Sequence, residues 1–241
     1  MKFGNSLSDY IIYQPNMEPL QNGNAFSVCS WVKSLRSSGI PCWLNYAVSN
    51  SVNEILISDN GAYNFIFDKG WNLESYFTMP SGAWYHYCYS WSLSAGTQIV
   101  YLNGQQIGSR SISSGRNVRT GGYLIIGNDQ NGSPAAGMST TYIFGGELYK
   151  LNFFSKELSG SEVQDMAKDM CSDTEESFGD LRTIKWEDIL QKQRNGDIKE
   201  IVLTECEVIH KSGMLNFISL FSEYMLSFFF WTMKDFHVIL L

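Results

Sequence analysis

Apolar and polar positions from Asp9 to Phe154 fall into short runs broken by turn residues. The runs lie at residues 10–13, 26–32, 54–58, 63–67, 84–91, 98–102, 123–126 and 148–154, and they are rich in Tyr, Phe, Trp, Val and Ile. Aromatic and β-branched residues patterned in this way predict the strands of an antiparallel sandwich. Asn103-Gly104 separates the run ending at Leu102 from residues 105–109. That pair predicts a type I′ hairpin, a turn that needs positive φ at both central positions. Segments 113–122 and 130–146 are rich in Gly, Ser, Thr and Asn and are expected to be display loops at the surface.

One stretch changes period. Ser159 and Glu162 form a capping-box pattern, and Val163, Met166, Ala167 and Met170 follow at helical spacing, which predicts a single helix packed on a sheet. Its methionines read as core rather than as a cofactor site. Residues 173–177 are acidic and polar, a surface loop, and an apolar pattern resumes over 181–202 with Trp186 and the turn Asn195-Gly196. No internal repeat is visible.

Composition narrows the function classes. The 241 residues are 44% hydrophobic and 15% aromatic, with 21 Gly and 5 Pro, enough for one sizeable β core. The net charge of -7 comes from scattered acids without a Lys/Arg stripe, so nucleic acid is not an expected partner. Five cysteines without a C-x-x-C pair argue against zinc-thiolate and thioredoxin-like chemistry. Residues 1–15 hold Gly, Asn, Ser and Asp where a secretory signal needs an apolar run, so the N-terminus is expected to be incomplete. Residues 213–233 carry one charge, Glu223. That stretch is long enough to span a bilayer, yet its insertion is close to neutral. A membrane anchor and a non-native tail both stay open for residues 207–241.

His86-Tyr-Cys88-Tyr-Ser90-Trp91 resembles the H-x-C-x-S-W signature of the pentraxin family, the C-reactive protein and serum amyloid P type of domain. Leu93 departs from the Ser or Thr usual at the next specified position. Further similarity in family order runs through Phe26 to Cys29, Asn53 to Ile57, Ile126 to Gln130, the helix after Ser159, and Ile184-Lys-Trp186. The resemblance spans residues 1–206 and implies an all-β fold: a two-sheet antiparallel jelly-roll sandwich, concanavalin A/laminin G-like, with one helix on a sheet. It implies a Cys29–Cys88 disulfide, while Cys171 and Cys206 bracket the segment after the helix and are expected to pair. Cys42 is then left over, and export from the cytosol follows from the disulfides.

The family holds two calcium ions on one face, and the metals bind carbohydrate or phosphate groups. Carried over by position, the ligands here are Asn53, Asp129, the Gln130 carbonyl and Asn131. Val52 replaces an Asp, Asn131 itself stands for an Asp, and residues 132–146 contain no acid before Glu147. Calcium affinity rises with the number of carboxylates, so a weakened or lost site is expected. The resemblance places Ser58 where the phosphocholine pocket has an apolar Phe and Trp71 near the place of its ammonium-pairing Glu, so a shifted specificity is expected. Trp71 could stack on a sugar or quaternary ammonium, or cap the core as a loop aromatic.

The sequence therefore reads as an extracellular ligand-recognition module for carbohydrate or phosphorylated surface ligands. The alternative is an adhesive or structural ectodomain without calcium-dependent binding. Family rings imply a cyclic homo-oligomer. An enzyme is not expected, because no strand carries alternating acids and no G-x-S-x-G or H-E-x-x-H pattern occurs.

Overall fold

The computed structural model describes residues 1–59, 63–67, 71–75, 80–111, 116–132 and 134–203, with 63–67 and 71–75 by backbone alone. In chain order the strands are β1 (Lys2–Phe3), β2 (Tyr10–Tyr13), β3 (Ala25–Ser34), β4 (Cys42–Val48), β5 (Ser51–Asp59), β6 (Tyr63–Phe67) and β7 (Trp71–Ser75). They continue as β8 (Tyr85–Ser92), β9 (Thr97–Leu102), β10 (Gln105–Ser111), β11 (Tyr123–Ile126), β12 (Gly146–Phe154), β13 (Arg182–Ile184), β14 (Arg194–Asn195) and β15 (Ile198–Lys199). Helices α1 (Glu18–Asn22), α2 (Gly160–Lys168) and α3 (Trp186–Leu190) complete the frame.

The strands form two antiparallel sheets. One runs β10-β9-β8-β3-β12-β1-β15 with β13 alongside β12, and the other runs β14-β2-β11-β4-β5-β6-β7. This is the expected jelly-roll sandwich. Phe26, Val28 and Val32 of β3, Tyr87, Tyr89 and Trp91 of β8, and Leu44, Tyr46, Ile55 and Ile57 of the facing sheet meet in one buried cluster between the sheets. The hairpin at Asn103-Gly104 is present, with φ of 49° and 77° and Leu102 opposite Gln105.

The signature motif is explained by strand alternation. Tyr87, Tyr89 and Trp91 point into the sandwich, while His86, Cys88 and Ser90 point to the outer face of the first sheet. There Cys88 lies directly opposite Cys29 on β3 and is bonded to it. Ser90 Oγ lies 2.7 Å from Ser27 Oγ, and Ser27 Oγ accepts from the Leu158 amide at 2.9 Å. These hydroxyls fasten the segment that leads into α2. His86 packs on Trp31, with ring centroids 5.2 Å apart, and burial lowers its pKa to about 3, with the Lys150 charge adding to the shift. His86 is a neutral core residue.

Ser159 caps α2 with a complete capping box, and Val163, Met166 and Ala167 are buried beneath it. Met170 differs from the sequence expectation. The chain leaves helical geometry at Asp169, and Met170 packs with Trp31 and Trp84 in a separate cluster. The sequence pattern also missed β4, all of whose residues are buried, and β7 at the sheet edge. Cys171 is disulfide-bonded; its expected partner Cys206 and the tail 207–241 lie outside the described residues. Among the described residues no helix is long and apolar enough to cross a membrane.

Candidate functional site

The site lies on the face of the second sheet turned away from the inter-sheet core, where β4, β5 and the segment after β11 meet. In register, Asn45 of β4 stands between Leu56 of β5 and Ile125 of β11. Their neighbours Leu44, Tyr46, Ile55, Ile57, Leu124 and Ile126 fill the opposite, inner face. Asn45 is completely buried. A polar amide on an apolar strand requires partners, and it finds three. Its Nδ2 donates to Asp129 Oδ1 at 2.6 Å, to Asn53 Oδ1 at 2.9 Å and to the Val52 carbonyl at 3.2 Å. Three oxygens from two separate chain segments thus converge on one amide group, while the Oδ1 of that amide is buried without a partner.

Asp129 is 3% exposed, and no cation lies within ion-pair distance of it among the described residues. Burial raises its pKa, partly offset by hydrogen bonds from the Gln130 backbone and the Asn45 side chain. The site is therefore built to hold a carboxylate at the cost of its hydration. The adjacent acid of β5 is not available. Glu54, fully buried, accepts from Arg116 Nη1 and Nη2 at 2.5 and 2.6 Å and from the Arg119 backbone N–H at 2.8 Å. That bidentate pair anchors the loop before β11, giving its described part, residues 116–122, a structural duty.

Gln130 Nε2 donates to the Tyr123 carbonyl at 2.9 Å, and its Oε1 accepts from the Ala135 amide at 3.0 Å. Its side chain is thereby used to pin the following loop, and an oxygen from Gln130 for a cation is the main-chain one. Asn131 is exposed, and its Nδ2 donates to the Gly137 carbonyl at 3.0 Å; it does not join the Asn45 cluster. Trp71 begins edge strand β7 opposite Phe67, and its side chain lies outside the described residues. Cys42 is buried and free, its Sγ within hydrogen-bond reach of the Asn128 carbonyl at 3.5 Å. Burial and the Asp129 charge push its thiol pKa up, so it is an unreactive packing residue.

Would calcium fit? The ion takes oxygen ligands, and the Val52 carbonyl, Asn53 Oδ1 and Asp129 Oδ1 already converge. A half-turn of the Asn45 amide exchanges Nδ2 for the orphaned Oδ1 and adds another oxygen. The set fits one calcium ion of low affinity, since one carboxylate serves it, and no group of three His, Cys, Asp or Glu suited to a metal occurs among the described residues. Asn45 escaped the sequence reading. The available signal was an asparagine interrupting the apolar run Cys-Trp-Leu-Asn-Tyr-Ala-Val of residues 42–48.

The sandwich agrees with the known proteins that the chain matches. The family model for the concanavalin A-like lectin/glucanases superfamily, of laminin G type, matches residues 4–164. The chain belongs to this superfamily. Within the lectin/glucanase superfamily the chain is similar to pentraxins. Human neuronal pentraxin-1 is 31% identical over 147 residues, covering 59% of this chain and 33% of that protein. C-reactive protein 1.1 of Limulus polyphemus is 24% identical over 188 residues, 76% of this chain and 75% of that one. The heptameric SAP-like pentraxin of the same animal superposes with a TM-score of 0.53 at 23% identity, over 67% of this chain and 83% of that one. The match to the neuronal pentraxins spans a third of their length. The pentraxin resemblance seen in the signature motif is thus borne out for this lectin-like domain.

Proposed function

We propose that this domain is an extracellular ligand-recognition module that binds carbohydrate or phosphorylated ligands through a weak calcium site. One observation carries the proposal: the convergence of the Val52 carbonyl, Asn53 Oδ1 and Asp129 Oδ1 on the buried Asn45 amide. Asn45, Asn53, Asp129 and the main chain at Gln130 would hold the ion. Bound there, calcium supplies a positive centre with open positions for ligand oxygens. Asn131, if its side chain swings from Gly137, and the aromatic Trp71 are the neighbouring positions for ligand contact. A lone carboxylate has no second acid with which to divide acid and base roles, and Glu54 is tied to Arg116, which supports binding rather than catalysis. The disulfides support an oxidising, extracellular setting. The heptameric state of the Limulus relative supports a cyclic homo-oligomer, which light scattering would detect as a single species of several protomers.

The same shortage of acids favours one other reading, an adhesive or structural ectodomain that needs no metal. Glycans and phospholipids immobilised on an array and probed with calcium or with EDTA separate the two. Calcium-dependent retention supports recognition through the metal. Retention that ignores EDTA, or none at all, supports the adhesive or structural reading.

A further inference from the structure

The sequence contains five Asn-Gly pairs, at residues 22–23, 60–61, 103–104, 131–132 and 195–196. Asparagine is a thermolabile residue, and a following glycine, which has no side chain, leaves it open to attack. The glycine main-chain nitrogen attacks the asparagine side-chain carbonyl carbon, a succinimide ring closes, and the side-chain nitrogen leaves as ammonia with the proton of the glycine N–H. Water then opens the ring to aspartate or isoaspartate, so a neutral amide becomes a carboxylate. The reaction needs only water, a free glycine N–H and a backbone able to bring that nitrogen to the side chain.

Folding denies these conditions to the pairs that serve the frame. Asn103, in the left-handed turn between β9 and β10, donates from its amide to the His86 carbonyl at 2.7 Å and accepts at Oδ1 from the His86 amide at 2.9 Å. Gly104 lies so close to α2 that a Cβ there would stand 2.9 Å from Gln164 Cα. Asn195 pairs with Tyr10 as part of β14 and donates from Nδ2 to the Tyr10 carbonyl at 3.2 Å, and a Cβ at Gly196 would collide with Asp9 and the Ser8 main chain. Asn22 ends α1, and helical backbone turns the next nitrogen away from the preceding side chain. Residues 60–61 lie outside the described residues.

Asn131 is different. It is exposed and lies outside every helix and named strand, and the Gly132 N–H has no partner among the described residues. The chain is held at the neck of the loop, where the Asn131 amide donates to the Ala136 carbonyl and the Ala136 amide to the Gly132 carbonyl, each at 2.9 Å. That neck favours a glycine, since a Cβ at Gly132 would stand 3.0 Å from the Ala136 Cβ. The fold thus keeps beside an exposed asparagine the residue that leaves it most open to attack. The Asn131 side chain makes a single hydrogen bond among the described residues, from Nδ2 to the Gly137 carbonyl at 3.0 Å. An ionised carboxylate cannot donate that bond. Deamidation therefore replaces an attraction by repulsion between oxygens, frees the side chain from Gly137, and adds a negative charge close in sequence to Asp129, the acid of the oxygen cluster.

We infer that Asn131-Gly132 is a site of spontaneous deamidation in the folded protein, and that the aspartate formed there tightens the calcium site. The second step rests on the proposed calcium reading; the first does not. The test is tryptic mapping of the full chain after prolonged incubation at neutral pH in EDTA, beside calcium calorimetry. Fragmentation of the peptide 120–150 is expected to show aspartate and isoaspartate accumulating at residue 131 while Asn103 and Asn195 stay intact. In urea, where the protection of the fold is gone, all three convert. Asn131→Gln stays unmodified, and Asn131→Asp, which starts with the carboxylate, binds calcium several-fold tighter than fresh wild type. Asn131 left intact in the folded chain, or converted no faster than Asn103 and Asn195, would overturn the deamidation site. Calcium affinity unchanged in Asn131→Asp overturns the gain of affinity. Calcium heat absent from wild type and Asn131→Asp alike overturns the calcium reading itself and leaves the conversion at residue 131 standing.

Discussion

Asp129 is buried with no cation beside it among the described residues, and this sets the sign of its contribution to stability. Its folded pKa lies above the ordinary value through burial, so the folded state binds the proton more tightly than the unfolded chain. Ionisation then costs stability at pH values above the folded pKa, and that cost disappears as pH falls through it. Asp129→Asn is accordingly expected to melt at or slightly above the wild-type temperature in EDTA, whereas a structural carboxylate would lose stability; thermal denaturation followed by circular dichroism distinguishes the two. Glu54 presents the opposite case. Glu54→Gln leaves Arg116 without its carboxylate and is expected to cost about 2 kcal/mol, below the cost for a wholly buried pair because Arg116 keeps some access to water. Urea unfolding of this variant reads that loss directly.

His86 carries a pH dependence of the other sense. Its folded pKa, lowered to about 3, lies below that of the unfolded imidazole, so stability is full above the unfolded value near 6.5 and declines as pH falls from there toward 3. Urea midpoints between pH 7 and pH 4 are expected to drop in the wild type and to drop less in His86→Gln. An equal decline in both would assign the acid sensitivity to other groups.

At the scale of elements, legibility followed burial. Strands β2, β6 and β11 stand at the residues that alternation and turn spacing predict, and the hairpin at Asn103-Gly104 has the positive φ values that its residue pair requires. β4 was not legible because both of its faces are covered, so residues 42–48 show no period of two. The cost was functional, since β4 carries Asn45. Asn53 and Asp129 could be placed through the resemblance, but the Glu54–Arg116 pair joins residues 62 positions apart, and no local spacing encodes it. α2 was legible from its cap. Ser159→Ala removes the side chain that accepts from the Glu162 amide and is expected to cost about 1 kcal/mol, measurable by urea denaturation. Met170 was misplaced because helical spacing continues in the sequence after the helix has ended at Lys168.

For the whole molecule, the two sheets separate two kinds of work. The first sheet bears α2 and the Cys29–Cys88 bridge on its outer face; the second bears the oxygen cluster around Asn45. The bridge spans 59 positions and limits the unfolded chain, worth about 4 kcal/mol in the loop-entropy account. Replacing both Cys29 and Cys88 by Ser is expected to lower the unfolding free energy by that order while leaving any calcium response in place, because the bridge and the cluster lie on different sheets. The measurement that tests the central proposal most directly is calcium titration of the protein by calorimetry, with Asp129→Asn beside it. A single site with a dissociation constant of roughly 10⁻⁴ to 10⁻³ M, absent from the variant, is the predicted result. Two sites tighter than about 10⁻⁵ M, or heat on calcium addition that Asp129→Asn leaves unchanged, would contradict it.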